Sequence, residues 1–165
     1  MAKLKSGSRV YGSFSADSLR LTKRLSSTES GTYFGAPPMV EGVTIVSGPA
    51  NGTPTINLKT SNVWLFTSAS TGIWSHNITG DANTTLDSML LAGESVVVNI
   101  ISRQTSTSFY TNSLNIDGGV VTINWQGGTA PANGLSTTGY DVYTWTIIKL
   151  SGASFTVFGS QTRFG

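Results

Sequence analysis

Tyr140-Asp141-Val142-Tyr143-Thr144-Trp145-Thr146-Ile147-Ile148-Lys149-Leu150 is the longest run of strand-forming residues in the sequence. β-Branched and aromatic side chains suit a pleated, half-buried surface. The alternation places Val142, Thr144 and Thr146 on one face and Tyr143, Trp145 and Ile147 on the other. A strand of this length is expected at the centre of a sheet, with neighbours on both sides.

Working outward, Ser151-Gly152 turns the chain into a last strand over Ser154–Gly159. On the other side a long Gly/Ser/Thr/Pro/Asn loop, Gln126 to Thr138, separates the central run from Val121-Thr122-Ile123-Asn124-Trp125. Asp117-Gly118 marks a hairpin between Ile116 and the returning Val121–Trp125 strand. Further strands are read at Ser106–Thr111, Ser95–Ile101, Trp74–Thr79, Asn62–Thr67, Thr55–Leu58 and Val43–Val46. One helical turn, Leu86 to Leu91, is capped by Thr84 or Thr85, with Asp87 at its positive end and Ala92-Gly93 closing it. Short strands at regular spacing predict an all-β, antiparallel β-sandwich or jelly-roll-like body over residues 42–165. Neither a β/α alternation for a parallel sheet nor a repeat for a solenoid is visible.

Residues 1–41 read differently. The first 25 hold six of the ten basic residues against the single acid Asp17, and Arg9-Val10-Tyr11-Gly12-Ser13-Phe14 forms one extended segment. Residues 26–41 are rich in Ser, Thr, Gly and Pro. This is an extended basic arm and linker, too poor in apolar surface to stand without a partner. Its charges are interleaved with apolar side chains, which suits docking on an acidic protein surface rather than nucleic acid. Only 11% of the 165 residues are charged, against 38% hydrophobic, so the polar surface is built from Ser, Thr, Asn and Gly. That balance is common in extracellular and virion β-proteins. There is no cysteine, hence no disulfide and no thiolate metal site. The N-terminus lacks the apolar stretch of a signal peptide, and no run is long enough to span a membrane.

Chemistry is sparse. His76 is the single histidine, and its place in an alternating segment points to a structural role. Asp81, Asn83 and Asp87 are only loosely calcium-like, and Asp87 is explained as a helix-cap charge. No phosphate-binding glycine loop or nucleophile elbow occurs. No enzyme activity, metal or cofactor is therefore expected. Of the four tryptophans, Trp125 beside the Gln126-Gly127-Gly128 turn is the candidate for exposure, and Trp125 and Gln126 are the candidate ligand residues.

Val63-Trp64-Leu65-Phe66, Trp74–Asp81, Thr84-Thr85-Leu86, Gly93–Val96, Trp125-Gln126-Gly127-Gly128-Thr129-Ala130-Pro131, Asp141–Lys149 and Gln161-Thr162-Arg163-Phe164 together resemble a β-domain of structural proteins from tailed phages of marine cyanobacteria and other marine bacteria. The opening Lys5–Gly12 is similar to the start of virion fibre proteins from such phages. The resemblance implies a virion component and brings no catalytic residues. The chain has no long repetitive shaft, which favours a capsid decoration, or cement, protein on the capsid surface. In that reading Lys3, Lys5, Arg9, Val10, Tyr11, Phe14, Arg20, Lys23 and Arg24 form the interface to the major capsid protein, and the body assembles as a homotrimer. No membrane partner is expected. The alternatives are a receptor-binding tail-fibre or spike tip, or a free carbohydrate-binding module, with a host glycan at Trp125 and Gln126.

Overall fold

In the computed structural model, which describes residues 42–165, the central run is a 13-residue strand over Gly139–Ser151. Its alternation is strict. Asp141, Tyr143, Trp145, Ile147 and Lys149 are buried, while Val142, Thr144, Thr146 and Ile148 on the other face are half-buried. Full burial of side chains such as Trp145 and Ile147 is worth roughly 1.5–3 kcal/mol each.

In chain order the elements are β1 (Val43–Val46), β2 (Thr55–Asn57), β3 (Val63–Phe66), β4 (Asn77–Thr79), α1 (Leu86–Met89), β5 (Ser95–Gln104), β6 (Asn115–Ile116), β7 (Gly119–Val120), β8 (Ile123–Trp125), β9 (Gly139–Ser151) and β10 (Ser154–Phe164). They form a six-stranded sheet, β1-β3-β5-β9-β10-β8, and a four-stranded sheet, β2-β4-β6-β7. As the pattern of short strands and turns predicted, the fold is all-β, with two sheets and one short helix. One hydrophobic cluster joins the sheets: Ile56, Ile78 and Ile116 from the smaller one meet Phe66, Val98, Ile100, Tyr143, Trp145, Ile147 and Val157 from the larger.

The strand directions depart from an antiparallel arrangement: both sheets are mixed. β9 is antiparallel to β5 and β10, but β1, β3 and β5 run parallel, as do β2, β4 and β6. Parallel neighbours need a long crossover, usually a helix. Here each crossover passes through the opposite sheet. The chain alternates between sheets from β1 to β6 and so winds around one core in solenoid-like coils. The coils are unequal. Val43 pairs with Val63, and Val63 with Asn99; Thr55 pairs with Asn77, and Asn77 with Asn115. Because one coil is much longer than the other, the sequence carries no fixed period.

Two expected strands are corrected. Ser106–Thr111 is not a strand. Its hydroxyl-bearing residues bond locally, as Ser108 N–H does to Ser106 Oγ at 3.2 Å, and Thr111 N–H donates to the Tyr143 hydroxyl at 3.2 Å. Such bonds compete with a strand ladder. The hairpin at Asp117-Gly118 forms, with φ of 51° and 84°, but its return strand is only β7. The chain then leaves the smaller sheet, and β8 pairs parallel with β10.

Thr85 caps α1 by accepting from Ser88 N–H at 3.1 Å. The Asp117 carboxylate adds a second cap, accepting from Leu86 N–H at 2.7 Å and Asp87 N–H at 3.0 Å. Lys149, at the end of the buried face of β9, pairs with Asp87 at 2.7 Å. Asp117 therefore holds both a left-handed turn position, which Asp and Asn tolerate, and a helix terminus. Asp117→Ala is expected to lower unfolding free energy by about 1–2 kcal/mol. Asp117→Asn, which keeps the turn and one acceptor, should lose less than half of that. Urea denaturation of the three proteins checks this order.

Candidate functional site

The register of the larger sheet carries the outward residues into rows. Ile45 pairs with Leu65, Leu65 with Ile101, and Ile101 with Val142. Val43 and Val63 lie beside this row in the next outward position. Ile45 is 69% exposed, and Leu65, Ile101 and Val142 are half-buried and lie outside the core cluster. Along the outward positions of β1, β3, β5, β9 and β10 Arg103 alone is charged. A monomer's free sheet face is normally polar, and a contiguous apolar stretch marks a contact surface.

Past Val142 the same face changes character. Thr144, Thr146, Asn124, Phe158 and Ser160 line a trough of about 450 Å³ over β8, β9 and β10. Phe158, half exposed at 48%, is its aromatic surface. A second hollow of about 210 Å³ adjoins it, sharing Trp125, Gln126 and Ser160 and reaching Gly127 and Thr129. Trp125 and Gln126 thus border both hollows. Trp125 is half-buried, packed edge-on to Trp145 at 5.2 Å, so it forms a wall rather than an open platform. Phe158 takes the exposed place. Its signal in the sequence is the alternation Val157-Phe158-Gly159, which turns Phe158 away from the core. The arm residues Lys3, Lys5, Arg9, Val10, Tyr11, Phe14, Arg20, Lys23 and Arg24 lie outside the described residues.

The titratable groups singled out in the sequence are occupied structurally. His76 is fully buried, with ring centroids of Trp74 at 4.5 Å and Phe66 at 6.1 Å and no hydrogen-bond partner on either nitrogen. Lys59 holds the Asp81 carboxyl down at about 2, with a 2.8 Å ion pair. Asp81 also accepts from Asn83 N–H at 2.7 Å, and Asp87 is taken by Lys149. Among the described residues no group of three or more His, Asp or Glu is gathered as a metal site. No described helix is long and apolar enough to cross a membrane. Asp141 lies on the core side of β9, where its Oδ2 accepts from Gln161 Nε2 at 3.0 Å and Leu135 N–H at 3.3 Å; burial raises its pKa. The Tyr143 hydroxyl, pushed up by burial, accepts from the same Gln161 nitrogen at 2.9 Å.

Comparison of the chain with protein-family models, with curated proteins and with solved structures finds no match.

Burial holds the His76 imidazole down at about 3, against 6.5 for the free side chain. The unfolded chain therefore binds more protons between these values, and the fold loses stability as pH falls from about 6.5 towards 3. Asp141 acts in the opposite sense: its contribution is present at low pH and is lost as pH rises through its raised pKa. His76→Phe fills the same aromatic slot without a proton to bind. Its unfolding midpoint relative to the native sequence should rise steadily as pH is lowered from 7 to 4. A difference that stays constant with pH would contradict this role for the imidazole.

Proposed function

We propose that the chain is a non-enzymatic structural component of a phage virion, a capsid decoration protein. Its body self-associates as a trimer through the aliphatic row on the outer face of the larger sheet. Its N-terminal residues dock on the major capsid protein, with Lys3, Lys5, Arg9, Val10, Tyr11, Phe14, Arg20, Lys23 and Arg24 as the contact set. The observation that carries the reading is the uncharged aliphatic row Ile45–Leu65–Ile101–Val142 on a face turned away from the core. Such a row is costly to leave in water and suits burial between subunits. The interleaved basic and apolar residues at positions 1–25 support the second contact. A protein that binds only the assembled shell stabilises it by mass action. The trough at Phe158 favours one other reading, a receptor-binding fibre or spike tip.

Deletion of residues 1–25 is expected to abolish decoration of capsids while leaving a folded, still trimeric body. Ile45→Glu combined with Val142→Glu is expected to shift sedimentation from trimer to monomer. A truncated chain that still decorates capsids overturns the docking role. Trimers that survive the double substitution overturn the role of the sheet face.

A further inference from the structure

We infer that the trough on β8, β9 and β10 binds an uncharged oligosaccharide, with Phe158 as the stacking surface. This deepens the receptor-binding reading and is independent of capsid docking. The two adjoining hollows, about 450 and 210 Å³, lie near the size range of small-ligand sites. Their lining contains the aromatic rings of Trp125 and Phe158, neutral amides and hydroxyls, and no ionisable side chain. That selects against phosphate, sulfate and carboxylate ligands, which need cationic partners.

A sugar ring offers an apolar C–H face and a rim of hydroxyls. Phe158, 48% exposed, offers the complementary aromatic face. Around it polar atoms remain available. Asn124 Nδ2 is committed to Val157 O at 3.0 Å, which leaves the Asn124 carbonyl oxygen free to accept. Thr144 Oγ1 donates to Asn99 Oδ1 at 2.8 Å and retains acceptor capacity. The side chains of Gln126, Thr146 and Ser160 engage no hydrogen-bond partner among the described residues. In the second hollow Gly127 has φ of 73°, and the space where a Cβ would stand is empty. The backbone there is open to close approach by a ligand. The hollows adjoin at Trp125, Gln126 and Ser160, so a chain of more than one ring is expected rather than a monosaccharide.

The test is binding of the full-length protein to an array of neutral and acidic oligosaccharides, repeated with Phe158→Ala, Phe158→Tyr and Thr146→Arg. Both positions are on the outer face, and thermal melting verifies folding. Neutral oligosaccharides should be retained. Phe158→Ala and Thr146→Arg should each weaken binding at least about tenfold, a loss on the scale of one aromatic contact, and Phe158→Tyr should restore it. Absence of any neutral ligand, a preference for acidic glycans, or binding that survives both weakening substitutions overturns the inference. Capsid decoration by Phe158→Ala reports on the docking role separately, so the two proposals fail independently.

Discussion

The ring of Trp145 lies directly against the backbone of Gly159, and the order of the larger sheet depends on that contact. A Cβ at position 159 would stand 2.7 Å from Trp145 Cζ3 and 2.9 Å from Ile123 Cγ2. Only glycine lets β10 pass between the Trp145-bearing β9 and the Ile123-bearing β8. From Trp145 a chain of rings extends in two directions. Trp125 meets it edge-on on the β8 side, while Tyr143 stacks at 6.2 Å on the other. Tyr143 contacts Trp74 at 5.0 Å, and Trp74 contacts His76 just before β4. The rings thus run from one sheet to the segment that enters the other. This explains why an imidazole without a single hydrogen bond is tolerated: it is packed as an aromatic ring, and its neutral form is the one the site selects.

The long alternating run was legible because a strand with neighbours on both sides and one face on the core must alternate. The Asp117-Gly118 turn and the Thr85 cap were legible because each rests on local backbone chemistry. What could not be read from sequence was direction. Antiparallel and parallel strands have the same alternation, and connection length alone decided between them. The connections from β1 to β3 and from β3 to β5 contain strands of the other sheet, so they look like successive short links rather than crossovers. The second cap of α1 was equally hidden, since Asp117 is about 30 positions away in the chain and is brought there only by β4–β6 pairing. Of the candidate site, Trp125 and Gln126 border the hollows, but Phe158 was missed. Tryptophan is conspicuous by size, whereas the exposure of Phe158 follows from Gly159 beside it, which faces the core.

Asp141 shows how the polar end of the core is reconciled with burial. The inward positions of β5 and β9 change from Val98, Ile100, Trp145 and Tyr143 to Ser102, Gln104 and Asp141 towards one end. There Ser102 Oγ meets Ser70 Oγ at 3.1 Å and Gln104 Nε2 at 3.3 Å, while Gln161 bridges Asp141 and the Tyr143 hydroxyl. A network of this kind costs desolvation but fixes which groups face one another. Arg163, which pairs across from Asp141 in register, turns to the Asn133 carbonyl at 2.9 Å and ties the 126–138 loop to β10. The loop is thus held near its middle by an exposed contact. At its near end, Gln126 lines the trough and Gly127 the adjoining hollow.

The inner face of the larger sheet is committed to holding the fold, so under the proposed function contacts with other molecules fall to its outer face. That face divides along β9. Val142 belongs to the aliphatic row that crosses to β1, whereas Thr144 and Thr146 belong to the trough shared with Phe158. Aliphatic side chains gain most when an extended protein surface removes them from water, whereas isolated hydroxyls and amides gain most from a ligand that returns their hydrogen bonds. The switch from valine to threonine within one strand therefore separates two kinds of contact by a single step of the pleat. A substitution at either place leaves the buried Tyr143, Trp145 and Ile147 undisturbed. The same alternation that anchors the core lets subunit contact and ligand contact vary independently, as a decorated or receptor-bearing particle surface requires under the proposed function.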